Sequence, residues 1–313
     1  MSQELHVDGR TSGTITLEAA YAACRTIAKR EAKNFYYAFV ALPKPKRNAI
    51  CAIYAFMRQA DDLADDESVG REQRRARLAA WIAAWHEASA GGETGDPVFV
   101  AVRDATVRYR IPLTLLEELV AGVTMDLNSA ESDAPDTYAT FADLYRYCYL
   151  VASVVGLVCI RIFGYSDQRA EKLAEETGIA FQLTNILRDV AEDAERNRVY
   201  LPLEDLKAHG VELEGMLKRP KGAAPTSGER ALFQEIGRKA EKYYESAQAL
   251  MPLIDSESRP ALGVLVEIYH ALLKRIEKAD YDVFSQRVSV PMVQKLAILS
   301  VGLLRVALAR LFA

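Results

Sequence analysis

Acidic side chains recur at helical spacing in two distant parts of the sequence. Asp61 and Asp65 are four residues apart, and Asp189 and Asp193 repeat that spacing. Residues at i and i+4 share a helix face, so each pair presents its two carboxylates together. Oxygen ligands of this kind suit Mg²⁺, which fills its remaining positions with water and a substrate phosphate. The two pairs are therefore interpreted as facing walls of a metal site.

Each pair has polar companions in the same helical register. Gln182 and Asn185 precede Asp189 by seven and four residues, while Tyr54 and Arg58 precede Asp61 by seven and three. The group from Gln182 to Asp193 is flanked by leucine, isoleucine and valine, which places it against a protein interior. Its amide oxygen makes Asn185 a further candidate metal ligand.

A plainer interpretation of the first acidic cluster also exists. The carboxylates at 61, 62, 65 and 66 would then form a solvated helix end, and Arg58 would form a salt bridge with Asp61 or Asp62. Carboxylates at a helix C-terminus oppose the helix dipole, so the cluster requires a compensating cation. Because a second, matched pair exists, the metal site is the favoured interpretation.

Charge and residue types exclude several functional classes. The net charge is −4, and no basic stripe interleaved with aromatic residues suggests a nucleic-acid partner. The histidines are too scattered for a zinc hydrolase or a histidine-based triad. The four cysteines lie singly in apolar helical patterns, as reduced core residues do in a cytosolic protein. Residues 1–13 lack the features of a signal peptide, so a cytoplasmic protein is expected.

Helical periodicity runs through the chain, and no period-2 strand pattern competes with it. An all-α fold is expected, with residues 1–15 disordered and residues 16–313 forming one helical domain around a central cavity. Long helices are predicted at 16–41, 140–164 and 166–196. Pro45 should open the helix that carries the first acidic cluster.

The last helix is expected at residues 291–313 and is largely apolar. It contains Arg305 and Arg310 and is too interrupted for a confident membrane span. Two interpretations stay open: a final core helix, or an interfacial helix whose arginines sit among lipid headgroups. The second would place the protein peripherally at the inner face of the membrane.

Five motifs, in order over residues 18–290, resemble the squalene and phytoene synthases, which join two prenyl diphosphates head to head. They are residues 34–39, 54–66, 147–152, 182–193 and 198–202. Within that family, residues 145–165 look most like bacterial presqualene diphosphate synthases of hopanoid pathways. The resemblance implies an isoprenoid-synthase-like helical bundle, Mg²⁺ as cofactor and two molecules of farnesyl diphosphate as substrates. Contact with downstream pathway enzymes stays open.

The resemblance also implies roles for individual residues. The metal ligands would be Asp61, Asp65, Asn185, Asp189 and Asp193, with Asp62 in support. Diphosphate would be bound by Lys33, Asn34, Tyr54, Arg58, Gln182, Arg188 and Tyr200. The apolar wall around the carbocation would be Phe35, Phe39, Tyr147, Val151, Gly156, Phe181 and Tyr269. Ala32 departs from the family pattern, because many members carry a serine there that contacts diphosphate.

Several rival functions fit the same motifs. Phytoene synthase would use two C20 substrates, and a complete squalene synthase would also reduce the intermediate with NADPH. Catalytically inactive relatives act as assembly factors of respiratory complexes, but these tend to lose the acidic pairs that are intact here. A head-to-tail prenyltransferase usually carries the D-D-x-x-D motif twice, and the second site lacks the adjacent aspartate.

Overall fold

The computed structural model describes residues 15–128, 136–220 and 222–311, although some helical side chains within these ranges, including those after Leu304, lie outside the description. The first helices are α1 Leu17–Glu31, α2 Lys33–Val40, α3 Lys44–Ala64, α4 Arg71–Ser89, α5 Pro97–Tyr109, α6 Leu113–Asn128, α7 Phe141–Cys148 and α8 Val154–Phe163. They continue as α9 Arg169–Glu195, α10 Leu203–Ala208, α11 Leu213–Leu217, α12 Ser227–Leu250, α13 Arg259–Lys278 and α14 Met292–Leu311.

The expected all-α fold is confirmed, with one small addition. The two-residue strands β1 Asp136–Thr137 and β2 Arg198–Val199 pair in parallel, although no strand was predicted. Strands this short leave no alternating pattern in a sequence. The predicted disordered segment at 1–15 lies outside the described residues, apart from Ile15.

Local signals in the sequence set several helix boundaries correctly. Thr140 and Asp143 form a reciprocal capping box at the start of α7, and such a cap contributes about 1 kcal/mol. Pro45 occupies the first turn of α3, where its missing N–H costs nothing. The single helix predicted at 16–41 is instead two helices that meet at Ala32.

The helix predicted at 140–164 is also divided. Between α7 and α8 lies a π-helical turn, Tyr149–Ser153. Length and composition would let the run Phe141–Phe163 cross a membrane. Core helices meet the same criterion, and this run packs against α3, α6 and α9.

Helix α9 lies at the centre of the molecule, packed against α12, α8, α13 and the π turn. Two buried clusters meet beside it: one is built largely from α1, α3, α5 and α8, and the other from α7, α9, α12 and α13. Phe181 of α9 contacts both clusters. The junction of the two clusters is therefore where α9 can present side chains to an internal space.

Candidate active site

A cavity of about 340 Å³ lies between α3, α8, α9 and α13. Most of its wall is apolar. The residues predicted for the site that line it are Phe39, Tyr54, Asp61, Val151, Gly156, Phe181, Gln182, Asn185 and Tyr269. The structure thus brings together, in one space, members of both acidic stretches and most of the predicted apolar wall.

One face of α3 forms the first wall of this cavity. The lining residues are Ile50, Ile53, Tyr54, Met57 and Asp61, whose spacing keeps them on a single helical face. From the first to the last of them, eleven residues at about 1.5 Å each span about 16 Å. The wall is apolar at its N-terminal end and finishes on a carboxylate.

The facing wall of α9 follows the same order. It begins with Ala174, Thr177 and Gly178, continues through Phe181, and ends with Gln182 and Asn185. Gly178, near the apolar end of this wall, allows close packing, because an added Cβ would lie 2.5 Å from the Cα of Ser153. The cavity therefore has an apolar length and an oxygen-rich end, which suits a ligand with a long apolar chain and an anionic head.

Aromatic rings shape the middle of the cavity. Phe181 and Tyr269 stack with ring centroids 4.3 Å apart, and Phe39 meets Tyr54 edge to face at 6.3 Å. Burial raises the pKa of both Tyr54 and Tyr269. Both phenols therefore stay protonated at neutral pH and offer an O–H and a ring face.

Tyr147 and Tyr200 lie elsewhere. Their rings stack on each other with centroids 4.9 Å apart, and Tyr138 packs against both. Neither tyrosine is among the residues that line the cavity. Their predicted roles in substrate binding and catalysis stay predictions.

The four aspartates at the end of α3 have different surroundings. Asp61 lines the cavity, while Asp62 accepts a salt bridge from Arg58 at 2.5 Å. Asp65 ends the helix and borders a separate pocket of about 190 Å³. Asp66 is paired with Arg77 at 2.9 Å. The salt-bridge interpretation of Arg58 thus holds in this structure, and the metal interpretation applies best to Asp61.

Two arginines hold Asp189. Arg188 forms a bidentate ion pair with its carboxylate, and Arg287 donates to Oδ1 at 2.9 Å. Burial opposes the charge on Arg188, but the Asp189 carboxylate raises the pKa of the guanidinium. Asp189 therefore lies among cations that also suit the oxygens of a diphosphate.

Asp193, one turn further along α9, is only partly compensated, by the charges of Arg198 and Arg196. Burial, together with the charge of Asp189, raises the pKa of its carboxyl to about 7. A cation beside it would restore the ionised form. The carboxyl of Asp193 is thus chemically suited to bind a metal ion.

The amide of Asn185 provides a second test of whether Mg²⁺ fits. Its nitrogen donates to Gln182 Oε1 at 3.2 Å, but its oxygen is buried without a hydrogen-bond partner. Within the described ranges, no three His, Cys, Asp or Glu side chains gather as a metal cluster. Mg²⁺ is usually held by only one or two carboxylates together with substrate phosphates, so the arrangement fits an ion that arrives with its substrate.

The sequence did not predict two basic side chains near Asp189 and Arg188, those of Arg287 and Lys295. Arg287 contacts both Asp189 and Glu192, and it lines a cavity of about 380 Å³ together with Arg188. The pKa of Lys295 is lowered by burial and then by the charge of Arg188. Both lie about a hundred residues after the second acidic pair, so no spacing rule could connect them. The side chains of Lys33, Asn34 and Phe35 lie outside the described part of the chain.

Comparison with known proteins shows similarity to one enzyme family over most of the chain. The family model of squalene/phytoene synthase matches residues 28–294. A 15-cis-phytoene synthase of Synechococcus elongatus is 34% identical over 93% of this chain and 94% of its own. A phytoene synthase of Mycobacterium tuberculosis is 32% identical over 92% and 91%.

Solved structures give the same picture. A dehydrosqualene synthase in complex with ligand superposes with a TM-score of 0.79 at 30% identity, covering 91% of this chain and 96% of that one. The squalene synthase HpnC of Alicyclobacillus acidocaldarius gives a TM-score of 0.76 at 26% identity, over 86% and 98%.

Proposed function

The chain belongs to the squalene/phytoene synthase family, and on this premise we propose that it joins two farnesyl diphosphates head to head and stops at presqualene diphosphate. The observation that carries the proposal is the cavity with an apolar length and an oxygen-rich end. A prenyl diphosphate matches it, with an apolar chain for the apolar length and a diphosphate whose Mg²⁺ ions would bind the oxygen-rich end. Residues 145–165, which resemble presqualene diphosphate synthases, support the choice of substrate and product.

The reaction begins when the first substrate loses its diphosphate. The ligands for Mg²⁺ would be Asp61, Asp65, Asn185, Asp189 and Asp193, and the ion would supply Lewis-acid neutralisation of the leaving group. Arg188 would bind diphosphate oxygens in bidentate fashion. Tyr54 would donate a hydrogen bond from its protonated phenol.

The allylic cation that remains must be kept from water. The described wall does this with aliphatic side chains and with the stacked rings of Phe181 and Tyr269. A cation over an aromatic face is stabilised by about 2 kcal/mol when desolvated. C1 of the cation then alkylates the double bond of the second substrate, and loss of a proton, to the released diphosphate or to a tyrosine, closes the cyclopropane ring.

A second candidate function is phytoene synthesis from two geranylgeranyl diphosphates. It is favoured by the relatives, because the proteins of Synechococcus elongatus and Mycobacterium tuberculosis are both named phytoene synthases. Both reactions share the first ionisation step. They differ in the length of chain that the cavity accepts and in the second diphosphate, which phytoene has lost and presqualene diphosphate retains.

Product analysis distinguishes the candidates. Purified protein is incubated with Mg²⁺ and either farnesyl or geranylgeranyl diphosphate, with and without NADPH, and the extracts are analysed by mass spectrometry. We expect presqualene diphosphate from farnesyl diphosphate, with no change on adding NADPH. EDTA should abolish turnover and excess Mg²⁺ should restore it. Squalene formed only with NADPH, or phytoene formed with higher efficiency, would replace the proposal.

A further inference from the structure

Helix α14 has one docked face. Ile298 and Leu299 pack against the first core cluster, and Gly302 is buried against α13, where an added Cβ would lie 2.7 Å from Val264 Cγ2. Arg275 of α13 donates to Gln294 Oε1 at 3.1 Å. These contacts fix the rotation of the helix about its axis, and so determine which side chains point away from the protein.

The opposite face is apolar and open to solvent. Six of the ten large apolar side chains that are exposed in the described part of the chain lie on this helix. They are Met292, Val293, Leu296, Val301, Leu303 and Leu304, with exposures between 38% and 79%. At 100° per residue they fall within one half of the helix. Such concentration of exposed apolar surface marks an interaction site.

The charges of the segment after Asp282 are all of one sign, although Arg287 is paired with Asp189 and Glu192 and Lys295 is partly buried near Arg188. No aspartate or glutamate follows Asp282, whereas Arg287, Lys295, Arg305 and Arg310 all lie in that final segment. The protein as a whole carries a net charge of −4. The side chains of the last two arginines lie outside the described part, but the sequence fixes their charge. A cationic segment on an acidic protein is complementary to an anionic surface.

We propose that α14 lies in the plane of an anionic lipid bilayer, with its exposed apolar face among the acyl chains and Arg305 and Arg310 at the phosphate headgroups. An apolar helix face accompanied by arginines is the pattern of interfacial helices, and basic residues near such a surface are attracted to its anionic lipids. A second copy of this chain is a poorer occupant, because it would bring two cationic segments together.

The position of α14 suggests a role for the lipid contact in product release, an inference that rests on the proposed function. Its docked face covers α13, and α13 supplies Leu262, Leu265 and Tyr269 to the wall of the cavity. A bilayer bound at α14 would therefore lie one helix away from the site where an apolar product forms. Such a product partitions into hydrocarbon rather than water.

Vesicle flotation tests the proposal directly. The full chain is mixed with vesicles of phosphatidylcholine, with and without phosphatidylglycerol, and the bound fraction is measured. We expect binding only to the anionic vesicles, weakened by salt. The double substitution Leu296→Glu with Leu304→Glu should reduce binding about tenfold or more, because it places charge in the apolar face. The matched control is Val107→Glu, which changes a 77% exposed valine on α5 and should bind as the unchanged protein does.

Three outcomes would overturn the lipid contact. These are equal binding to neutral vesicles, unchanged binding of the doubly substituted protein, and sedimentation showing a dimer that the double substitution dissociates. Circular dichroism confirms that the variants are folded. Turnover of micelle-dispersed substrate is measured separately, so inactive protein that still binds anionic vesicles would count against the proposed reaction alone.

Discussion

Aspartates that look equivalent in the sequence have separate surroundings in the structure. Asp61 lines the cavity, whereas Asp66, five residues later, bonds Ser68 and Arg77 on the outside of the molecule. Helical spacing predicts which carboxylates share a face, and Asp61 does line the cavity that the second group also borders. Spacing could not predict the partners, since Arg77 and Arg287 come from other segments.

The first prediction separates these two carboxylates. Asp61→Asn should lower turnover about 100-fold or more, because it removes an oxygen ligand and a charge from the cavity end. Asp66→Asn should leave turnover within a few-fold, because its carboxylate faces α4. Steady-state assays in excess Mg²⁺, with thermal melts to confirm folding, provide the measurement. Equal losses in both variants would mean that the cluster acts only as a general field of negative charge.

The residues missed by sequence reasoning share a cause. Arg287 and Lys295 approach Arg188 and Asp189 only because α13 and the following loop return the chain to the C-terminal half of α9. Neither residue belongs to an acidic or aromatic pattern. Their placement depends on tertiary packing, which a single sequence does not encode in any local spacing.

Among the elements, the π turn at Tyr149–Ser153 is the least predictable feature. The sequence predicted one helix over residues 140–164. In the structure, small residues at and beside the turn allow close packing and border the cavity. Ser153 Oγ donates to the Glu175 carbonyl at 2.6 Å and its backbone contacts Gly178, while Gly156 also lines the cavity. Two glycines, at 122 and 178, let the turn sit between α6 and α9.

The second prediction tests this close approach. Gly178→Ala should destabilise the fold by about 1–3 kcal/mol, because its Cβ would meet backbone atoms of Ser153 that cannot easily move. Gly263→Ala, in α13, is the matched control, since the nearest atom to its Cβ is a methionine methyl at 3.9 Å. That variant should gain about 0.5–1 kcal/mol from helix propensity. Denaturant unfolding measures both, and a neutral Gly178→Ala would show that the π turn can shift.

At the scale of the whole molecule, the sequence predicted a helical fold around a cavity and nine of the 23 residues that line it. Periodicity accounts for the helical fold and for the polar residues of α3 and α9, whereas the apolar wall residues followed from the resemblance to the family. The depth of the cavity was not predictable. It depends on which side chains of α8, α12 and α13 meet at its far end, and those contacts arise where the two core clusters join.

The third prediction concerns that far end. Cys159 of α8 lines the cavity beside Ile160 and Phe163, well away in sequence from the oxygen-rich groups. Cys159→Phe should fill part of the apolar length and should therefore reduce turnover of geranylgeranyl diphosphate about tenfold more than that of farnesyl diphosphate. Cys159→Ser keeps the size of the side chain and should leave the ratio of the two turnover rates unchanged. Competition assays with both substrates in one mixture measure that ratio directly, independently of how much active enzyme each preparation contains. If Cys159→Phe instead lowered both rates equally while the fold stayed intact, this end of the cavity would not set chain length, and the walls nearer Phe181 and Tyr269 would have to do so.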